Sequence, residues 1–182
     1  MPRIQPVNTD QAQGQAAELL AQVQKKMGRV PNILGTMAQA PSVLAFYLQT
    51  GETLGRGNLS GALREQIALT VSGVNRCHYC GSAHGAIAQM HGVSKDEAVA
   101  NLAGRATDDK VQAALTFAEA VVEKQGFGTD DELAAFKNAG YSDGDAVEVI
   151  AEVAKTVFTN YFNHVAETEV DFPDLQPAAA SA

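Results

Sequence analysis

The chain of 182 residues places prolines at positions 2, 6, 31 and 41, and then none until 173. Proline removes a backbone donor and clashes with the preceding helical turn, so a long proline-free stretch is what uninterrupted helices require. This one carries Ala, Glu, Val and Leu at helical spacing, and the spacing predicts helix throughout. The stops and starts are legible. Residues from about 10 to 27 read as a helix ended by Gly28, and Pro31 and Pro41 bracket a short helix and open another that runs to the Gly55-Arg56-Gly57-Asn58 turn. Ser60 is placed to cap the next helix. Ser94-Lys95-Asp96-Glu97 and Thr129-Asp130-Asp131-Glu132 both match the capping box, in which hydroxyl and carboxylate satisfy each other's orphan amides. Ser142-Asp143-Gly144-Asp145 opens a last long helix expected to reach about Val170, and the tail from Asp171 is expected to fray. The expectation is one all-α domain over residues 1–170, a bundle of about eight helices, followed by a flexible C-terminal tail over 171–182.

One run resists this reading. Ile67-Ala68-Leu69-Thr70-Val71-Ser72 alternates enough to be a strand. A strand leading into Cys-x-x-Cys at a helix start is the thioredoxin arrangement. That fold needs several more strands and a cis-proline facing the dithiol, and neither is available between Pro41 and Pro173. The helical reading stands.

Composition narrows the function classes. The 13 basic residues are outweighed by 21 acidic ones, a net charge of −8. Phosphate binding needs clustered Lys and Arg, so neither nucleic acid nor an anionic membrane is the expected partner. No segment approaches the ~20 apolar residues of a membrane span. The N-terminal Met1-Pro2-Arg3-Ile4-Gln5-Pro6 lacks the apolar core of a secretory signal.

The two cysteines of the chain, Cys77 and Cys80, stand together in Cys-His-Tyr-Cys. A disulfide across so short a loop constrains almost none of the unfolded chain, so a structural staple is a poor explanation for the pair. Reducing compartments, where disulfides tend to be catalytic, make the cytoplasm the expected location. If Cys77 lies at the start of a helix ending near His91-Gly92, Cys80 is one turn in and His84 one turn further on the same face. Amides and the helix dipole at that terminus favour a thiolate, and His84 is placed to take a proton from Cys80. Glu65 fits the same geometry. A helical hairpin turning near Asn75-Arg76 sets it across from residues 84–86, where a carboxylate on an apolar face finds an imidazole partner. The small residues Gly81, Ser82, Ala83, Gly85 and Ala86 let the two helices approach.

These residues carry a family resemblance. Glu-x11-Cys-x2-Cys-x3-His, here Glu65, Cys77, Cys80 and His84, resembles the motif of the alkylhydroperoxidase D branch of the carboxymuconolactone decarboxylase family. The likeness is best over residues 42–104. The closing Phe158-Thr159-Asn160-Tyr161-Phe162-Asn163-His164-Val165-Ala166 and Asp171-Phe172-Pro173 are similar to the peroxidase-related variant. The resemblance implies an all-α, homo-oligomeric fold and a thiol peroxidase cycle that needs no metal or flavin. In it Cys80 is the peroxidatic thiolate that attacks a hydroperoxide, Cys77 resolves the sulfenic acid to a disulfide, and His84 with Glu65 relays protons. An external dithiol, such as a lipoyl-type carrier, restores the reduced pair. Tyr79 stands where well-known members carry a histidine, and a phenol is a poor base near neutral pH.

Other readings of the same residues remain open. A general dithiol–disulfide oxidoreductase would use the same pair without peroxide. A zinc-binding helical oligomer module would draw ligands from Cys77, Cys80 and His84, with His78, His91, His164 or Glu65 as a fourth. Buried cysteines also serve as small hydrophobes. Asn160, Asn163 and His164 form a polar strip on an otherwise apolar helix face, which fits either the mouth of the site or a subunit contact. Arg64 reads as a solvated charge. A shift of eighty residues superposes His84 on His164, Cys80 on Asn160 and Glu65 on Asp145, a match too loose to carry function.

Overall fold

The computed structural model describes residues 1–175. Among them are nine helices and no strand: α1 Gly14–Met27, α2 Asn32–Met37, α3 Pro41–Leu54, α4 Gly61–Val74, α5 His78–Met90, α6 Lys95–Leu102, α7 Asp109–Glu123, α8 Asp130–Asn138 and α9 Asp143–Ala166. Helix α4 is the hub and packs against α5, α6, α7 and α9. That position explains the strand-like run. Ile67, Ala68, Leu69, Thr70, Val71 and Ser72 are buried on every side of α4, so no polar face was left to reveal the helical period. The polar members are satisfied locally. The Thr70 hydroxyl donates to the Asn101 carbonyl at 2.9 Å, and Ser72 donates to Ala68 one turn back at 2.7 Å.

Two large apolar clusters flank the hub, and a smaller one joins its Leu69 to Ala88, Ala98 and Leu175. Leu63, Ile67 and Val71 of α4 pack with Leu115 and Phe117 of α7, Phe136 of α8, and Val149 and Val153 of α9. The second cluster joins Leu20 and Val23 of α1, Ile33 and Leu34 of α2, and Leu44 of α3 to Cys77, Tyr79 and Cys80. The dithiol is therefore part of a core, where water is scarce and nearby charges act strongly.

Caps set several boundaries. Ser60 accepts from the Leu63 amide, Ser94 from Glu97 and Asp108 from Val111. The full reciprocal box forms at Ser142–Asp145. It does not form at Thr129, whose side chain makes no cap, because the Glu132 carboxylate pairs with Lys124 Nζ at 2.5 Å. At Ser94 the Glu97 carboxylate turns instead to Thr107, accepting from its amide and hydroxyl at 3.1 and 2.9 Å. Helix α9 stops at Ala166, four residues short of expectation, where Glu167 adopts φ +49° and the Arg3 amide donates to the Ala166 carbonyl.

The first five residues of the expected tail are packed rather than frayed. Asp171 accepts from the Asn32 amide and pairs with Arg29, Phe172 lies edge-on to Tyr79, and Leu175 is 3% exposed. The remainder of the expected tail, residues 176–182, lies outside the described residues. Small residues on α5 make this packing possible: a Cβ at Gly85 would fall 2.5 Å from Leu175, and one at Gly81 3.2 Å from Leu102. They serve the C-terminal segment and α6 rather than the α4–α5 contact alone.

Of the glycines, Gly73 on α4 lies hardest against a neighbouring helix, α6. A Cβ on Gly73 would lie 1.8 Å from the Leu102 carbonyl oxygen, and that oxygen is backbone. Gly73→Ala is expected to destabilise the fold by about 3 kcal/mol through overpacking. In thermal denaturation this corresponds to a Tm lowered by about 10 °C for a chain of this size.

Candidate active site

The α4–α5 turn sets the register of the site. Arg76 takes the left-handed conformation at φ +55°, the Arg76 amide donates to the Gly73 carbonyl, and the Cys77 amide donates back to Ser72 at 2.9 Å. This closure ties up the last carbonyls of α4. It leaves Cys77 as the N-cap of α5, with its sulfur accepting from the Cys80 amide at 3.4 Å. Cys80 then sits one turn into the helix, and His84 one turn beyond that.

Both sulfurs are reduced and nearly sealed, Cys77 at 3% and Cys80 at 2% exposure. They are hydrogen-bonded to each other, and the Asn163 side-chain amide of α9 donates to Cys80 Sγ at 3.2 Å. The hydrogen bond from Cys77 pulls the Cys80 pKa down to about 6, against the opposing effect of burial and with help from the His84 charge and the amides of Asn163 and Asn160. Cys77 moves the other way. Its bond to Cys80 and its burial push its pKa up, so it stays a thiol while its neighbour ionises.

His84 Nδ1 lies 2.7 Å from Glu65 Oε2 across the hairpin. Burial alone lowers the His84 pKa, but the Glu65 charge and hydrogen bond outweigh it and the net shift is upward. Burial pushes Glu65 up, and His84 with Lys155 and His91 brings it below the usual carboxylate range. Cys80, His84 and Glu65 line a cavity of about 460 Å³, walled by Val23, Leu34, Leu48, Ile87 and Phe172 and bordered by the phenol of Tyr47 and by Lys155. Lys155 is held by Glu152, 1% exposed, at 2.6 Å.

The structure thus brings Glu65, Cys77, Cys80 and His84 together. Tyr79 takes no part as a base. Its hydroxyl donates to Asp171 at 2.7 Å and accepts from the Ile33 amide at 3.2 Å, and burial drives its pKa upward. It clasps the C-terminal segment to α2. The polar strip on α9 divides. Asn160 is buried between Asn75 and Ser72, Asn163 reaches Cys80, and His164 is exposed beside Tyr161. Asp145, the third position of the eighty-residue shift, caps α9 and is remote from the chemistry in role. Arg64 is not a solvated charge: it donates to the Leu54 carbonyl at 2.6 Å and lines the cavity. Among the described residues, no group of three or more His, Cys, Asp or Glu is arranged to hold a metal ion. No helix among them is long and apolar enough to cross a membrane.

Sequence reasoning left Asn163 without a role. The available signal was a buried-type amide at i+3 from Asn160 on an apolar helix, but only the packing of α9 on α5 shows that it faces sulfur. Asn163→Leu is expected to raise the Cys80 midpoint by about one pH unit, since a hydrogen bond to a charged group is worth about 1.5–3 kcal/mol. The pH dependence of iodoacetamide alkylation reads this directly.

The helical arrangement is similar to that of solved structures described as peroxidase-related. The fold matches the AhpD core of a peroxidase-related protein from Ralstonia eutropha JMP134 with a TM-score of 0.85, at 24% identity over 93% of this chain and 92% of that one. A peroxidase-related protein from Silicibacter sp. TM1040 superposes with a TM-score of 0.81, at 20% identity over 96% and 97% of the two chains. The debrominase Bmp8 superposes with a TM-score of 0.78, at 21% identity over 93% and 92%. Residues 41–124, which contain Glu65, Cys77, Cys80 and His84, match the model of the carboxymuconolactone decarboxylase family. Over 104 residues the chain is 33% identical to the alkyl hydroperoxide reductase Rv2159c of Mycobacterium tuberculosis; the match takes in 57% of this chain and spans 30% of the length of that relative.

Proposed function

We propose that the protein is a thiol-dependent peroxidase that reduces hydroperoxides through a Cys80–Cys77 dithiol/disulfide cycle. The carrying observation is the Cys80 sulfur, which accepts from the Asn163 amide and lines an apolar cavity with a Glu65-paired imidazole. The likeness to an alkyl hydroperoxide reductase supports the same reading.

The steps balance as follows. The Cys80 thiolate attacks the terminal oxygen of ROOH, the O–O bond breaks, and Cys80 becomes a sulfenic acid while the alkoxide leaves. Imidazolium His84, kept protonated by Glu65, supplies the proton that makes ROH. Cys77 then attacks the Cys80 sulfur, its proton passes by way of neutral His84 to the departing hydroxyl, and water leaves as the disulfide forms. The raised Cys77 pKa keeps it protonated until that second step. A dithiol reductant, of which a lipoyl-type carrier is one form, returns two electrons. No protein-bound cofactor enters the cycle, and the cytoplasm is the compartment that keeps the pair reduced. Self-association belongs to the same reading, and the exposed apolar residues Val147, Ile150, Tyr161 and Val165 on α9 support it.

The test is stopped-flow oxidation of the reduced protein by an alkyl hydroperoxide. Cys80 is expected to react far faster than a free thiol at the same pH. Equal rates would sink the peroxidase reading and leave the general dithiol oxidoreductase in its place.

A further inference from the structure

The two sulfurs open onto different clefts. Cys80 lines the 460 Å³ cavity together with Tyr79, Ala83, His84 and Ile87 of α5. Cys77 lines a second cleft of about 210 Å³ with His78, Gly81 and Ser82 of the same helix and Leu102 and Leu175 opposite. No residue is common to the two linings. Helical geometry explains why. Positions 80, 83, 84 and 87 form one stripe of α5, and positions 78, 81 and 82 form the stripe about half a turn away. Helix α5 is therefore a partition, with one member of the dithiol facing each side.

We propose that the two half-reactions use separate entrances: the hydroperoxide reaches Cys80 through the large cavity, and the reducing dithiol reaches Cys77 through the small cleft. The inference rests on the dithiol cycle proposed above and adds its direction. A thiolate of the reductant attacks Cys77 Sγ in the disulfide, the Cys77–Cys80 bond breaks, and Cys80 leaves as thiolate. The second thiol of the reductant then attacks its own sulfur in the mixed disulfide. The reductant closes to a cyclic disulfide and Cys77 leaves, taking up a proton. Two electrons and one proton pass from the reductant monothiolate to the protein, which ends with Cys80 as thiolate and Cys77 as thiol.

Exchange chemistry favours this direction independently. The sulfur that leaves more readily is the one whose thiolate is better stabilised, and that is Cys80, with its Asn163 donor and the His84 charge beside it. Attack at Cys80 would have to expel Cys77, whose thiolate is disfavoured by burial. The cleft suits a slender reagent. Gly73 and Gly81 leave part of its wall without side chains, Leu102 and Leu175 are apolar, and Arg76, His78, Asp174 and the hydroxyl residues Ser72 and Ser82 are its polar members. A dithiol on a narrow alkyl arm fits such an opening.

The experiment begins with the full-length protein oxidised to the disulfide by diamide, so it does not depend on reactivity toward peroxide. Brief exposure to 2-mercaptoethanol, quenching with excess N-ethylmaleimide and fragment mapping of the peptide containing both cysteines should place mercaptoethanol on Cys77 and maleimide on Cys80. The reverse placement, or equal placement on both, overturns the proposal. Rates give a second readout. His78→Trp at the small cleft is expected to slow reduction by dithiothreitol at least about tenfold more than oxidation by hydroperoxide, and Leu48→Trp in the large cavity to do the opposite. If each variant slows both steps alike, the separate entrances do not exist. A protein that ignores hydroperoxide but maps to Cys77 would refute the peroxidase reading alone.

Discussion

Cys80→Ser is expected to reduce hydroperoxide turnover to the uncatalysed background, while Cys77→Ser consumes one equivalent of peroxide and stops. The asymmetry follows from the site. Only Cys80 has a sulfur with a lowered pKa, an amide donor and a place on the cavity wall beside His84. A serine there has no accessible alkoxide at neutral pH and forms no stable product with peroxide. In Cys77→Ser the first step survives, because the serine hydroxyl can still donate to the Cys80 sulfur. The sulfenic acid then has no partner. Mass spectrometry after dimedone trapping should show one adduct on Cys80 in this variant and none in Cys80→Ser. Turnover by Cys80→Ser, or a trapped sulfenic acid on Cys77, would reverse the assigned roles.

Glu65→Gln is expected to have the next largest effect, and its sign can be worked through. In the wild type, Glu65 holds the His84 pKa above its ordinary value against burial, so His84 is cationic through the window above about 6 in which Cys80 ionises. Without the carboxylate, burial dominates and the imidazole becomes neutral at lower pH. Cys80 then loses the His84 charge and its midpoint rises. The rate of the first oxidation is expected to climb through about pH 6 and level off in the wild type, and to climb about one pH unit later in the variant. Below the midpoint the rate falls about tenfold from the lost thiolate, and the missing proton donor adds a loss of about 10²-fold or more. His84→Gln should reproduce both effects. An unchanged pH profile in Glu65→Gln would remove the relay from the mechanism.

The same pair links pH to stability in opposite directions. The raised His84 pKa contributes stability that is complete below about 6.5, the free imidazole value, and is lost as pH rises through the folded value. The lowered Glu65 pKa contributes stability present above about 4.3 and lost as pH falls through its folded value. Their joint contribution therefore belongs to mildly acidic pH, between these limits.

Much of the architecture was legible because local physics writes it into the chain. Gly28 ends α1 in the left-handed conformation, Pro41 opens α3, and Ser60, Ser94 and Ser142 cap their helices. The Glu65–His84 contact was legible too, since a hairpin turning at Asn75-Arg76 leaves few places for a carboxylate ten residues earlier. Other features were not. Thr129 looked like a cap and is none, because Lys124 competes for the Glu132 carboxylate. Arg64 looked solvated and instead binds the Leu54 carbonyl. Each depends on a neighbour that pattern alone does not reveal.

The sequence by itself determined the helical fold and the spacing of Glu65, Cys77, Cys80 and His84, because helical periodicity, caps and a short turn act over a few residues. The tertiary structure alone decided that Asn163 donates to Cys80, that Tyr79 clasps Asp171 rather than serving as a base, and that the two sulfurs face separate clefts. These depend on contacts between residues 83 and 92 positions apart, whose geometry is fixed by how α9 and the C-terminal segment pack against α5.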